Sequence, residues 1–66
     1  MIPVQYRDPK TEEILERRYE ESVPKIGTRV QIGFGQFRVL FRWQCVPTSC
    51  IVYVRRAPRE VHSVAA

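Results

Sequence analysis

Apolar residues fall on every second position through the middle of this chain. Val39, Phe41, Trp43 and Cys45 do so before Pro47-Thr48, and Cys50, Val52 and Val54 do so after it. Successive side chains of a strand point to opposite faces, so each set shares one face. The pattern over residues 37–56 therefore predicts a β-hairpin. With Val46 and Ser49 closing the turn, Cys45 falls opposite Cys50, Trp43 opposite Val52, and Phe41 opposite Val54. Cross-strand pairs of this kind stabilise a sheet by roughly 0.2–1 kcal/mol each. The other face carries Arg38, Leu40, Arg42 and Gln44 beside Ile51, Tyr53 and Arg55.

The remaining segments are shorter. Val4 and Tyr6 alternate with Gln5 and Arg7, and Asp8-Pro9-Lys10-Thr11 is a turn signal, because Asp bonds its own backbone and Pro presets φ. Residues 12–21 read two ways. Thr11 as a cap, Glu12 and Glu13 at the positive end and a Glu13–Arg17 pair suit a short helix, which would make the chain α+β. A three-residue loop instead puts Tyr6 opposite Ile14 and Arg7 opposite Glu13. The strand is preferred, since a small sheet needs more than one hairpin to cover its apolar face. Val23-Pro24-Lys25-Ile26-Gly27 reads as a loop, Val30 and Ile32 alternate again, and Gly33-Phe34-Gly35 is a turn into the central hairpin. From residue 57 the alternation stops. The expected organisation is one β domain over residues 1–56, with a flexible tail over residues 57–66.

Composition narrows the function classes. Sixty-six residues allow one domain and leave little room for a deep catalytic pocket. No apolar run is long enough to span a membrane as a helix. The start lacks the basic-then-apolar layout of a secretory signal, so the expected location is the cytosol. The net charge of +4 is unevenly spread. Residues 1–33 balance six cations with six acids, whereas residues 34–66 hold Arg38, Arg42, Arg55, Arg56 and Arg59 against Glu60 alone.

The run Asp8-Pro-Lys-Thr-Glu-Glu, then Tyr19, Val23-Pro-Lys-Ile-Gly27, Val30, Phe37-Arg-Val39 and Val52-Tyr-Val54, resembles small bacteriophage and mobile-element accessory proteins. In those, an N-terminal hairpin runs through a Pro-x-aliphatic-Gly turn into a partly open, SH3-like β-barrel. Glu12 stands where such hairpins usually place a glycine. The resemblance implies an all-β fold and a non-enzymatic role in the host-cell cytosol, and nothing finer, since fold does not fix function.

Cys45 and Cys50 are placed to form a disulfide, although two buried thiols are the reading favoured for a reducing cytosol. Zinc would need two further ligands, and His62 is the only histidine, so neither a metal nor another cofactor is expected. No Ser/His/acid set suggests catalysis. The acids of residues 12–21 alternate with arginines as in a solvated, ion-paired face.

Three binding functions follow. The first is docking onto a host or phage protein through Arg38, Arg42, Tyr53 and Arg55, since Arg and Tyr are enriched where contacts carry most energy. The second is single-stranded nucleic-acid binding by the same residues, weakened by the modest net charge. The third is sequestration of a nucleotide-like ligand between copies, because so short a chain gains core by forming a dimer or higher oligomer.

Overall fold

The computed structural model describes residues 1–57. They form five strands and no helix: β1 Ile2–Arg7, β2 Ile14–Glu20, β3 Arg29–Ile32, β4 Gly35–Val46 and β5 Ser49–Arg56. The sheet order is β2-β1-β5-β4-β3, curled into a half-barrel. β1 and β5 pair in parallel at its centre and the other neighbours are antiparallel. The N-terminal hairpin is thereby joined edge to edge with the β3-β4-β5 meander. The all-β, partly open barrel is the architecture the alternation implies.

Residues 14–20 are strand, not helix, and the reason is tertiary. Tyr6 is fully buried and needs a neighbour on its open side, which β2 supplies. The residues that suggested a helix cap build the turn instead. The Asp8 carboxylate accepts the backbone N–H of Lys10 (2.7 Å) and Thr11 (3.2 Å), while Thr11 Oγ1 accepts that of Glu13. This loop is longer than three residues, so the expected pairs are corrected: Arg7 faces Ile14 and Tyr6 faces Glu16, with a bulge between them at Leu15.

Inside the curl lie Val4, Tyr6, Ile32, Val39, Cys50, Val52 and Val54, all buried. The open side between β2 and β3 has no backbone ladder among the described residues, and the Arg18 side chain reaches across it. The Arg18 guanidinium on β2 donates to the Gln31 carbonyl on β3, lies over the Tyr6 ring (5.1 Å), and faces Glu16 and Glu20. Gly27, at φ 91°, turns the chain so that its N–H reaches the Val39 carbonyl (2.9 Å), which anchors the β2–β3 connection.

The central hairpin is where the pattern misleads. Val46 faces Ser49 as expected, but the register slips twice further back. One extra residue enters β4 between Trp43 and Val46, where Gln44 takes φ 51°, and a second enters at Leu40. Trp43 therefore faces Ile51 rather than Val52, and Phe41 faces Tyr53 rather than Val54. Val39 recovers the core side opposite Val54. Both large rings leave the interior, with Phe41 44% and Trp43 54% exposed. The cause is volume: a half-barrel of this size already holds Tyr6, and two more aromatic rings would overpack it.

Cys45 and Cys50 are bonded as a disulfide across the hairpin, in place of the favoured thiol pair. Closing so short a loop stabilises the chain by about 2 kcal/mol in the chain-entropy model. Only residue 57 of the expected tail, residues 57–66, is among the described residues. Ala57 is buried and its N–H donates to the Gln36 carbonyl at 2.8 Å. The rest of that segment lies outside the described residues.

Glu12 has φ 64°, a left-handed conformation that costs a residue with a Cβ roughly 1 kcal/mol. Its carboxylate offsets this by binding Tyr53 and Arg7. Glu12→Ala keeps the backbone cost and loses the contacts, whereas Glu12→Gly loses only the contacts. Chemical denaturation should find the alanine variant about 1 kcal/mol less stable than the glycine variant.

Candidate nucleic-acid interface

The outer face of the sheet is composed row by row from the register. Pro3, Gln5 and Arg7 of β1 point away from the buried Val4 and Tyr6, and their partners share that face. One row runs Arg17, Gln5, Ile51, Trp43 across four strands. The next runs Ile14, Arg7, Tyr53, Phe41. Beyond it Arg55, Arg38 and Arg29 stand side by side on β5, β4 and β3. The face thus has aromatic rows in the middle and arginines at the margin.

Phe41 and Tyr53 stack, with ring centroids 4.7 Å apart and planes 25° apart. Tyr53 is the buried partner and Phe41 the exposed one, so Tyr53 serves as a floor beneath Phe41. Tyr53 is itself held by Glu12, to whose carboxylate its hydroxyl donates at 2.7 Å. Arg7 approaches the same carboxylate at 3.5 Å and donates to Gln5 Oε1 at 2.8 Å. That chain of contacts fixes the floor of the aromatic row and occupies the Glu12 carboxylate.

Of the four residues expected on one face of the sheet, Arg38, Tyr53 and Arg55 do share a face. Arg42 does not. The bulge at Leu40 pairs it with Val52, whose side chain is in the core, so Arg42 belongs to the other face. In its place come Phe41 and Trp43, assigned to the core by simple alternation, together with Arg17 and Arg29. The acids divide the opposite way. Glu16 and Glu20 face inward against Arg18, and Glu20 also accepts the Tyr6 hydroxyl. A groove of about 430 Å³ runs along this open side, and within it Arg18 is paired with Glu20.

Both structural tyrosines resist ionisation. Burial, reinforced by the bond to Glu20, pushes the Tyr6 hydroxyl far above its ordinary value. The bond to Glu12 pushes Tyr53 up, aided by burial and by the charge of Glu12, with Arg7 opposing.

Among the described residues no three or more His, Cys, Asp or Glu side chains are grouped to hold a metal ion, and no helix is long and apolar enough to cross a membrane. Comparison of the chain with family models, with curated proteins and with solved structures finds no match in any of the three.

Because a raised phenol favours the neutral form in the fold, its stabilising effect is complete below pH 10.0 and is lost as pH rises through the folded value. NMR titration of labelled tyrosines should place the Tyr53 ionisation above the ordinary 10.0. Glu12→Gln should bring it back down toward that value, since it removes both the charge and the stronger acceptor. An unchanged Tyr53 titration in the variant would contradict the assigned contact.

Proposed function

We propose that the outer face binds single-stranded nucleic acid, with Trp43 and Phe41 as stacking surfaces and Arg29, Arg38 and Arg55 along the phosphates. The observation that carries this reading is the co-facial placement of two exposed rings beside a row of three arginines. Bases stack on aromatic side chains without regard to sequence, each such contact contributing about 1–3 kcal/mol, while arginines follow the backbone.

The modest net charge argues against nucleic-acid binding only if charge is spread evenly. Here it is not. Glu16 and Glu20 are turned inward and matched by Arg18, and Glu12 is occupied by Tyr53 and Arg7. The potential over the outer face is therefore more positive than the total implies. Arginine and exposed aromatic residues also suit a protein contact, so docking onto a protein partner is the competing outcome. A duplex suits the face poorly, because its bases are already stacked on one another and unavailable to the rings. This reading makes the protein a non-catalytic binding module.

Trp43 is the single tryptophan of the chain and lies on the proposed surface, so its fluorescence reports binding directly. An oligothymidylate should quench it, and Phe41→Ala should weaken binding roughly 10- to 100-fold. The combined Arg38→Ala, Arg55→Ala variant should reduce the slope of log affinity against log salt by about 1.4. Arg42→Ala, on the other face, should leave affinity and slope nearly unchanged. Absence of quenching at low salt would overturn the reading in favour of protein docking.

A further inference from the structure

A second feature of the outer face lies on the N-terminal hairpin, in line with Trp43. It is a hollow of about 260 Å³ whose lining includes Pro3, Gln5, Arg17, Tyr19 and Ser49. Pro3 faces Tyr19 across β1 and β2, and Gln5 faces Arg17 in the row that ends at Trp43. Tyr19 is 69% exposed, a large ring standing at the rim of the hollow with nothing among the described residues to cover it. A strand of nucleic acid stacked on Trp43 reaches this hollow by continuing along the row.

The polar chemistry of the hollow is one-sided. None of its lining residues is acidic. The Arg17 side chain has no hydrogen-bond or ion-pair partner among the described residues, so its guanidinium fork is available. Gln5 receives Arg7 on its oxygen, from Nε at 3.2 Å and Nη2 at 2.8 Å, which leaves its NH₂ as the end able to meet a ligand. Ser49 adds a hydroxyl. The site thus offers donors to a flat ligand whose edge must supply acceptors.

We propose that this hollow receives a guanine base of the bound strand, with Tyr19 against the ring and Arg17 reading its edge. Guanine presents two adjacent acceptors, O6 and N7, which match the arginine fork. Adenine places an N6 amino group at the equivalent position and meets a donor with a donor. Thymine has single acceptors and a smaller ring to lay against Tyr19. The inference rests on the nucleic-acid reading of the same face and adds to it a preference for one base.

The test compares an oligothymidylate, the same oligomer with one central guanine, and the same with one central adenine, each titrated against Trp43 fluorescence. The guanine oligomer should bind roughly tenfold more tightly than the adenine oligomer. Arg17→Ala should abolish that ratio. Arg17→Lys should abolish it as well, because it keeps the charge but loses the fork, so that a purely electrostatic role for Arg17 is excluded. Equal affinity for the guanine and adenine oligomers, with the oligothymidylate still bound, overturns the guanine assignment and leaves the stacking surface standing. If none of the three oligomers quenches Trp43, the surface reading fails and this inference falls with it.

Discussion

Two extra residues in β4 govern which side chains this protein shows to solvent. An unbroken β4–β5 ladder would bury Phe41 and Trp43 above Val54 and Val52 and turn Arg42 outward beside Tyr53. The insertions at Leu40 and between Trp43 and Val46 each shift the pairing by one residue. A shift of one residue exchanges the faces of every side chain in the slipped segment, because the strand repeat is two. The slipped segment is 41–43, and it carries two of the chain's largest apolar side chains together with Arg42. The disulfide just beyond Gln44 pins the hairpin tip, so the slip is bounded on that side by a covalent bond. On the other side Val39 returns to the core opposite Val54.

The closed side of the molecule follows from a different economy of interactions. A half-barrel leaves two strand edges facing one another, and unpaired edges invite association. Arg18 spans that gap through one backbone carbonyl, one aromatic face and two carboxylates. These contacts draw Glu16 and Glu20 inward, which removes negative charge from the outer face. Seam and surface are linked in this way: ion pairing at the open edge keeps Glu16 and Glu20 with Arg18 on the inner side of the sheet. Glu12 in turn supports Tyr53, the floor on which Phe41 rests.

Much of this architecture is legible from alternation alone. Val4 and Tyr6, Val52 and Val54, and the Pro47-Thr48 turn stand where a period of two and turn chemistry place them. Residues 14–20 were ambiguous because Thr11, Glu13 and Arg17 satisfy helix rules locally. The burial of Tyr6 decides the matter, and no local rule contains it. The bulges were not legible. Neither Leu40 nor Gln44 is a glycine, the residue that normally marks a left-handed kink, and Glu12 conceals its own positive φ in the same manner. Arg38, Tyr53 and Arg55 keep the common face expected of them, because Arg38 precedes both insertions and the other two lie on β5. Arg42 is lost and Trp43 and Phe41 are gained by the same physical event. The one available hint was volume, since three large aromatic rings do not fit inside a barrel half of this length alongside its aliphatic residues.

The account depends on Trp43, Phe41 and Tyr53 standing on one face of the sheet. Cross-strand nuclear Overhauser effects on the labelled protein measure this directly. The slipped register predicts contacts between the Phe41 and Tyr53 rings and between Trp43 and Ile51, with Arg42 near Val52. Contacts from Phe41 to Val54 and from Trp43 to Val52 would show an unbroken ladder, bury both rings and remove the outer aromatic row.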